Sequence, residues 1–357
     1  MDVPFMENKQ THFDFLIIGQ GIAGSTLALT LIEKGYSVCV IDKPSLSTCS
    51  SVAAGIWNPV VFKRLVKSWK ADQVLPYLVQ FYERYESQFK CSLITKRQIL
   101  KPFSETQESE LWLKKSKVEN HYLQQTISSQ YQLSSTQNLN SYAMVLEAGN
   151  LNVTEFLNQT RLYLLAKFSY IEDLFSHDDV THTSLQVKYK HISANHLVFC
   201  EGHLVSKNSF FDWVPTKPAK GEVITIACDD LNLDLNILNK GIFILPLGNS
   251  IYKVGATYEW KNLTDDPTPE GLMELETKLR MLITSPFKII NHEAGIRPSV
   301  IDRRPVIGSH PSFKNIHVFN GFGTKAVMLA PYYANQFVNQ FQQKEDLDDE
   351  VNVSRFY

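Results

Sequence analysis

The chain has 357 residues, too many for one ordinary core of about 100–150 residues and about right for two domains or for one large domain with insertions. Its composition, 44% apolar and 20% charged, is that of a globular protein and excludes a disordered or fibrous one. With 35 basic and 37 acidic residues the net charge is −2, so the overall balance gives no reason to expect a nucleic-acid or membrane-surface partner.

Taken in chain order, FDFLII (Phe13–Ile18) reads as a buried strand, followed by glycines 19–24 and a helix from about Ile22 to Lys34 that stops at Gly35. SVCVI (Ser37–Ile41) reads as a second buried strand ending at Asp42. Residues 66–145 have a different texture: helices over Gln73–Phe89 and Glu105–Lys115, then a polar surface excursion over Gln124–Asn140. A helix is expected over Asn152–Leu165, with strands near Phe168–Ile171 and Leu185–Tyr189 and at His196–Cys200. Residues 206–298 look mostly β, through GEVITIAC, GIFILPLG and SIYKVGATY, with one helix over Glu270–Ile283. NIHVF (Asn315–Phe319) then meets a glycine turn and a last helix over about Lys325–Gln342.

No apolar run approaches the roughly 20 residues of a membrane-spanning helix, and the N-terminal residues lack the pattern of a secretory signal. The five cysteines are scattered, with no C-x-x-C pair, which argues against a disulfide framework and against a zinc site. The cytoplasm is the expected compartment. No metal-spaced histidine cluster and no Ser-His-Asp order is readable.

The strongest local motif is Gly19-x-Gly21-x-x-Gly24, entered by a strand, left by a helix and followed 18 positions after Gly24 by the acid Asp42. The first glycine allows the tight turn, the second lets a pyrophosphate reach the backbone, and the third lets the helix pack on the sheet. The helix start offers unpaired N–H groups to a diphosphate, and Asp42 can accept from ribose hydroxyls. An acid there disfavours a 2′-phosphate. These features do not separate FAD from NAD.

The remaining motifs resemble those of the D-amino-acid oxidase, glycine oxidase and sarcosine oxidase superfamily of FAD enzymes. They are the N-terminal fingerprint ending in VCVIDK, then SSVAAGIWNP, AGNLNVTEFLN, HLVFCEG, PTKPAKGEV, GATYE, AGIRPSVIDRRPVIG and NGFGTKAVMLAP, in that order along the chain. The resemblance implies an α/β fold: a doubly wound, Rossmann-like FAD-binding domain with an interleaved α+β substrate domain. It would take the flavin domain from residues 1–65, 146–205 and 299–357, and the substrate domain from 66–145 and 206–298.

For the cofactor, the resemblance implies contacts at Gly19, Gly21, Gly24, Asp42 and Lys43, and in the second segment at Ser50, Ser51, Ala54 and Gly55. It adds Cys200 and Gly202 after the third strand, Arg297, and the turn Gly321, Phe322, Gly323, Thr324 and Lys325. No Cys follows Cys228, so non-covalent FAD is expected.

Two residues are implied in the chemistry. Arg297 would pair with a substrate carboxylate, which suits a guanidinium fork in a dry pocket. Lys253 would stand near the flavin and promote its reaction with oxygen; strand alternation sets it on one face with Ile251 and Gly255. Trp57, Tyr258 and Trp260 are candidate pocket walls, and Asp302–Pro305 reads as a turn cap. Thr324-Lys325-Ala326 stands where glycine oxidases carry Arg-Asn-Gly, so the resemblance does not select that one activity.

The implied reaction is oxidation of a C–N bond in a small amine or amino acid: hydride to flavin N5, imine hydrolysis, and reoxidation by oxygen to give peroxide. The alternatives are a dehydrogenase of the same fold feeding a quinone or another acceptor, an oxidase of the carboxymethylamino group on a tRNA wobble uridine, and a flavin-binding protein without activity. Expected partners are a small amine or amino-acid substrate and oxygen or another electron acceptor, rather than nucleic acid or membrane.

Overall fold

The computed structural model describes residues 11–43, 48–118, 120–128 and 141–357. Of the expected polar excursion Gln124–Asn140, residues 129–140 lie outside these. The chain opens with β1 (His12–Ile18), α1 (Ile22–Glu33), β2 (Val38–Asp42), α2 (Cys49–Val52), β3 (Ile56–Trp57), β4 (Val60–Val61) and β5 (Val66–Lys67). There follow α3 (Ala71–Phe89), β6 (Ile94–Phe103), α4 (Thr106–Val118), β7 (Ser141–Leu151) and α5 (Val153–Ala166). Then come β8 (Tyr170–Glu172), β9 (Val180–His182), β10 (Val187–Tyr189), β11 (Ile192–Phe199), β12 (Ala219–Ala227), β13 (Ile237–Lys240), β14 (Ile242–Gly248) and β15 (Ile251–Gly255). The last are α6 (Pro269–Arg280), β16 (Lys288–Arg297), β17 (Val306–Ser309), β18 (Ile316–Asn320) and α7 (Ala326–Phe341). No helix among the described residues is long and apolar enough to cross a membrane.

Two compact units emerge, and each is discontinuous in sequence. One draws on 1–46, 154–218 and 297–357, the other on 47–153 and 219–296. The first unit holds a sheet in the order β17-β18-β11-β1-β2-β8, with β9 and β10 appended through β11. β18, β11, β1, β2 and β8 run parallel, and β17 closes the edge antiparallel to β18. The unbroken apolar run of β1 follows from burial on both faces. Leu16 and Ile18 join one core cluster with Phe199 and Val318. Phe15 points the other way, stacking on His196 and meeting Phe341 of α7 edge-on.

The second unit holds a mostly antiparallel sheet in the order β16-β12-β15-β14-β13-β6-β7-β3. α6 covers it through Leu275 and Leu279, which pack on Ile224, Ile244 and Val254. Thr268 caps α6, its hydroxyl accepting from Gly271 N at 3.1 Å, and Pro269 opens the helix.

The sequence reading sees only helices and a polar stretch across 66–145, whereas β6 and β7, of 10 and 11 residues, pair there. The reason is charge within the strand. Arg97 of β6 donates to Asn150 Oδ1 (2.5 Å), to the Leu235 carbonyl (2.7 Å) and to the Pro246 carbonyl (3.0 Å), so tertiary partners satisfy a cation that blurs the alternation.

In the first unit His317 of β18 is wholly buried, its Nε2 3.1 Å from His196 Nδ1 and its Nδ1 3.0 Å from Ser309 Oγ. Burial holds both imidazoles below their ordinary range, and His196 adds to the effect on His317. The unfolded chain therefore binds protons that the folded chain refuses. Stability contributed by these neutral rings is complete above about pH 6.5 and is lost as pH falls below it. The unfolding free energy from urea titrations is expected to drop between pH 7 and pH 5, by up to ~1.4 kcal/mol per pH unit per histidine, and His317→Gln should flatten that dependence.

Candidate functional site

In the first unit the parallel strands bring their C-terminal ends to one edge, the place where open α/β sheets bind ligands. β1 ends at Ile18 and turns through Gly19, whose N–H donates to the Ile41 carbonyl at 2.9 Å. Gly19 has φ +97°, and a Cβ there would lie 2.6 Å from the Cys200 carbonyl oxygen. A Cβ on Gly24 would lie 1.9 Å from the Gly19 carbonyl oxygen. Both positions are closed to any side chain. Gly21 is the extended N-cap residue of α1, and no side chain caps the helix or adds an acid to its first turn. The positive end of a twelve-residue helix is thus left to an anion, a fit to the diphosphate of a dinucleotide.

Asp42 stands at the end of β2 with Lys43 after it, and its Oδ1 accepts from Gln20 N at 2.9 Å. Gln20 is a residue the sequence reading passes over. Its Nε2 donates to the Leu157 carbonyl (2.9 Å) and Ser25 Oγ (3.2 Å), and its Oε1 accepts from Arg161 Nε (2.8 Å). The glycine turn is therefore clamped from β2 and from α5.

Cys200 follows β11 and is buried; burial, then the neighbouring Glu201, pushes its thiol well up, so it is packing rather than a nucleophile. Asn320 closes β18, donates from Nδ2 to the Gly202 carbonyl (2.9 Å) and accepts at Oδ1 from Gly321 N (2.7 Å). One buried amide so ties together the two glycine turns that follow β11 and β18. The signal for it was an Asn directly before a glycine, which also occurs in plain turns.

In the turn Gly321–Lys325, Gly323 N donates to the Pro298 carbonyl at 3.1 Å, Phe322 is buried against Phe319, and Thr324 is exposed. Lys325 is the N-cap residue of α7; burial, then the charge of Arg304, pushes its ammonium down to about 8. Arg297 ends β16 with 9% of its surface exposed, one residue before the Pro298 that receives Gly323. The pair Asp302–Arg304 caps a turn, Arg304 N donating to Asp302 Oδ1 at 2.9 Å.

The second unit holds the remaining residues. α2 starts with a capping box in which Ser51 N donates to Thr48 Oγ1 (3.1 Å) and Thr48 N to Ser51 Oγ (3.0 Å), so the Ser51 hydroxyl serves the helix start. Ser50 lies in the same turn; Ala54 and Gly55 follow, and the Gly55 carbonyl accepts from Leu151 N at 3.0 Å. A Cβ on Gly295 of β16 would lie 3.0 Å from Cys49 Cα, so the strand runs close against α2. Lys253 of β15 points inward, with its side chain 13% exposed. Its Nζ donates to the Val52 carbonyl at 2.9 Å and stands 3.6 Å from Glu293 Oε2. Burial lowers its basicity and Glu293 partly restores it.

Of the candidate walls, Trp57 is buried and its indole donates to the Glu147 carbonyl at 3.0 Å, a core role. Tyr258 and Trp260 are half exposed, with ring centroids 5.5 Å apart. Gly24→Ala is expected to force α1 off the end of β1, destabilising the protein by about 1–3 kcal/mol and lowering Tm in a thermal melt.

A family model described as FAD dependent oxidoreductase (DAO) matches residues 14–339. The glycine oxidase of Bacillus subtilis (strain 168) is 25% identical over 196 residues, covering 51% of this chain and 53% of that protein. A tRNA 5-methylaminomethyl-2-thiouridine biosynthesis bifunctional protein of Marinobacter nauticus is 21% identical over 92% of this chain and 55% of its own length. The chain thus spans about half the length of these curated relatives. Among solved structures, glycine oxidase from Geobacillus kaustophilus superposes with TM-score 0.76 at 16% identity, over 97% of this chain and 98% of that one. Iminodiacetate oxidase from Chelativorans sp. BNC1 gives TM-score 0.76 at 16% identity, over 96% and 98%. At such identities these likenesses speak to the fold, the α/β architecture with parallel and antiparallel sheets described above.

Proposed function

Because the chain belongs to the FAD-dependent oxidoreductase (DAO) family, we propose that it oxidises the C–N bond of a small amine or amino acid. The observation that carries this reading is the clamped, uncapped glycine turn Gly19–Gly24 inside a family match that spans residues 14–339. FAD is the family's cofactor; when bound it would supply a two-electron acceptor for the substrate's C–H hydride, to be reoxidised by oxygen or another acceptor.

The residues fit that group. Gly19, Gly21 and Gly24 with the start of α1 would take the diphosphate, and Asp42 with Lys43 the ribose side. Cys200 and Gly202 would contribute packing and backbone after β11, and Gly321–Lys325 would present the start of α7. The first unit is thereby the flavin domain in this reading. Ser50, Ser51, Ala54 and Gly55 would be further flavin contacts in this reading, and the sheet of the second unit would serve the substrate.

Arg297 would bind and orient a carboxylate, holding the amine-bearing carbon in place; in a dry setting such a pair is bidentate and strong. The buried ammonium of Lys253 would favour negative charge developing as oxygen is reduced. A second reading rests on the tRNA-modifying relative, whose alignment reaches 92% of the chain. There the substrate would be a uridine bearing a carboxymethylamino group, an N-substituted glycine that also offers Arg297 a carboxylate.

Anaerobic titration of the FAD-loaded protein with amino acids, N-methyl amino acids and a carboxymethylaminomethyl nucleoside separates these readings. Bleaching by a small amino acid supports the first, and bleaching confined to the nucleoside supports the second. Failure to take up FAD would overturn both. Arg297→Ala is expected to raise KM for a carboxylate substrate by about 10- to 100-fold, the worth of a charge-assisted pair of about 1.5–3 kcal/mol, with little change in flavin content. An unaltered KM removes the assignment.

A further inference from the structure

Among the described residues the charge on Lys253 has one counter-charge, Glu293, and the sequence reading gives Glu293 no role. Lys253 sits mid-strand in β15, between Thr225 of β12 and Leu245 of β14 in register. Its strand neighbours Tyr252 and Val254 belong to the core cluster covered by α6, so the lysine faces away from α6. α2 offers the Val52 carbonyl at 2.9 Å, and β16 offers Glu293 at 3.6 Å. Glu293 is the only charged side chain recorded against this ammonium among the described residues. His292, next along β16, is engaged instead with Glu222, Nε2 to Oε2 at 2.8 Å.

An ammonium buried to this degree loses much of its hydration and pulls towards the neutral form. One backbone carbonyl does not carry a full counter-charge; a carboxylate does. At 3.6 Å the Glu293–Lys253 contact is an ion pair rather than a tight hydrogen bond. Among the described residues, the Val52 carbonyl at 2.9 Å is the one acceptor within hydrogen-bond distance of the Lys253 N–H groups. The cation is therefore held in place by one backbone acceptor and one carboxylate. The contacted carbonyl ends α2, directly before Ala53, Ala54 and Gly55. Two positions from Glu293 on the same strand, Gly295 touches the other end of α2 at Cys49. β16 thus grips this segment at its start by close approach and at its end through charge.

We propose that Glu293 is a positioning residue that fixes the Lys253 ammonium, charged, against the Val52 carbonyl beside the 50–55 segment, and so sets the pH range in which Lys253 supports reoxidation of the flavin by oxygen. It rests on the proposed reading of Lys253 and assigns Glu293 no contact with substrate.

The test uses the FAD-loaded holoenzyme, photoreduced and mixed with oxygenated buffer in a stopped-flow instrument from pH 6 to pH 10. The wild-type rate is expected to fall at alkaline pH as Lys253 loses its proton. Glu293→Gln should move that fall about one unit lower, as expected for loss of an adjacent opposite charge, which makes the variant about fivefold slower at the wild-type midpoint. Glu293→Asp should restore most of the profile. Lys253→Met should be slow at every pH, and adding Glu293→Gln to it should change nothing further. The proposal is overturned if Glu293→Gln superposes on wild type, if its effect persists undiminished in the Lys253→Met background, or if Lys253→Met reoxidises normally. Photoreduction needs no amine, so failure of the amine screen would leave this measurement intact and its outcome separately readable.

Discussion

The distance between α1 and the end of β1 governs the first unit. The Gly19 carbonyl fills the space that a Cβ on Gly24 would need, and the Cys200 carbonyl fills the space beside Gly19. Three backbone pieces, from β1, β11 and α1, therefore meet without any side chain between them. That closeness leaves the first turn of α1 facing the C-terminal edge of the parallel strands with its N–H groups and dipole directed at one spot. The rest of that edge is arranged around the meeting point: Gln20 is pinned to α5 and to Asp42, and Asn320 ties the Gly202 and Gly321 turns together. A steric constraint on two glycines thus becomes an electrostatic feature that suits an anion.

The second unit handles buried charge in two ways. Lys220 and Glu222 of β12 are almost wholly buried and lie 3.4 Å apart. Burial pushes the Glu222 carboxyl up, but donors from Thr268 and the Lys220 charge outweigh it and hold the group below its usual range. Lys220 donates in turn to the Asp266 carbonyl and Thr264, so the cluster is saturated and fastens the loop before α6. Such a network is structural because each of its groups already has a partner. The Lys253 ammonium has one backbone acceptor and one carboxylate just beyond hydrogen-bond range. The two buried cations thus differ in how many partners hold them.

Much of the fold was legible because its signals are local. The strand–glycine turn–helix–strand unit, the covered strands of the first sheet, α6, and the last strand and helix all read from short stretches. β6 and β7 did not, because Lys96, Arg97 and Lys101 interrupt the apolar pattern and Arg97 finds its acceptors up to 149 positions away. Trp57 illustrates the same limit: an aromatic in a motif reads equally as wall or core, and only the Glu147 carbonyl under its indole decides for core.

The sequence by itself determined the glycine spacing at 19, 21 and 24, the acid at the end of the second strand, and the order of motifs that marks the family. These depend on sterics within one turn and on residue identity, which a linear string records. Only the tertiary structure decided that segment 47–65 joins the second unit, that Lys253 turns inward, and that Glu293 and Val52 meet it there. Lys253 and Val52 lie 201 positions apart. Strand alternation assigns a residue to a face, but what lies on that face is set by how distant segments pack.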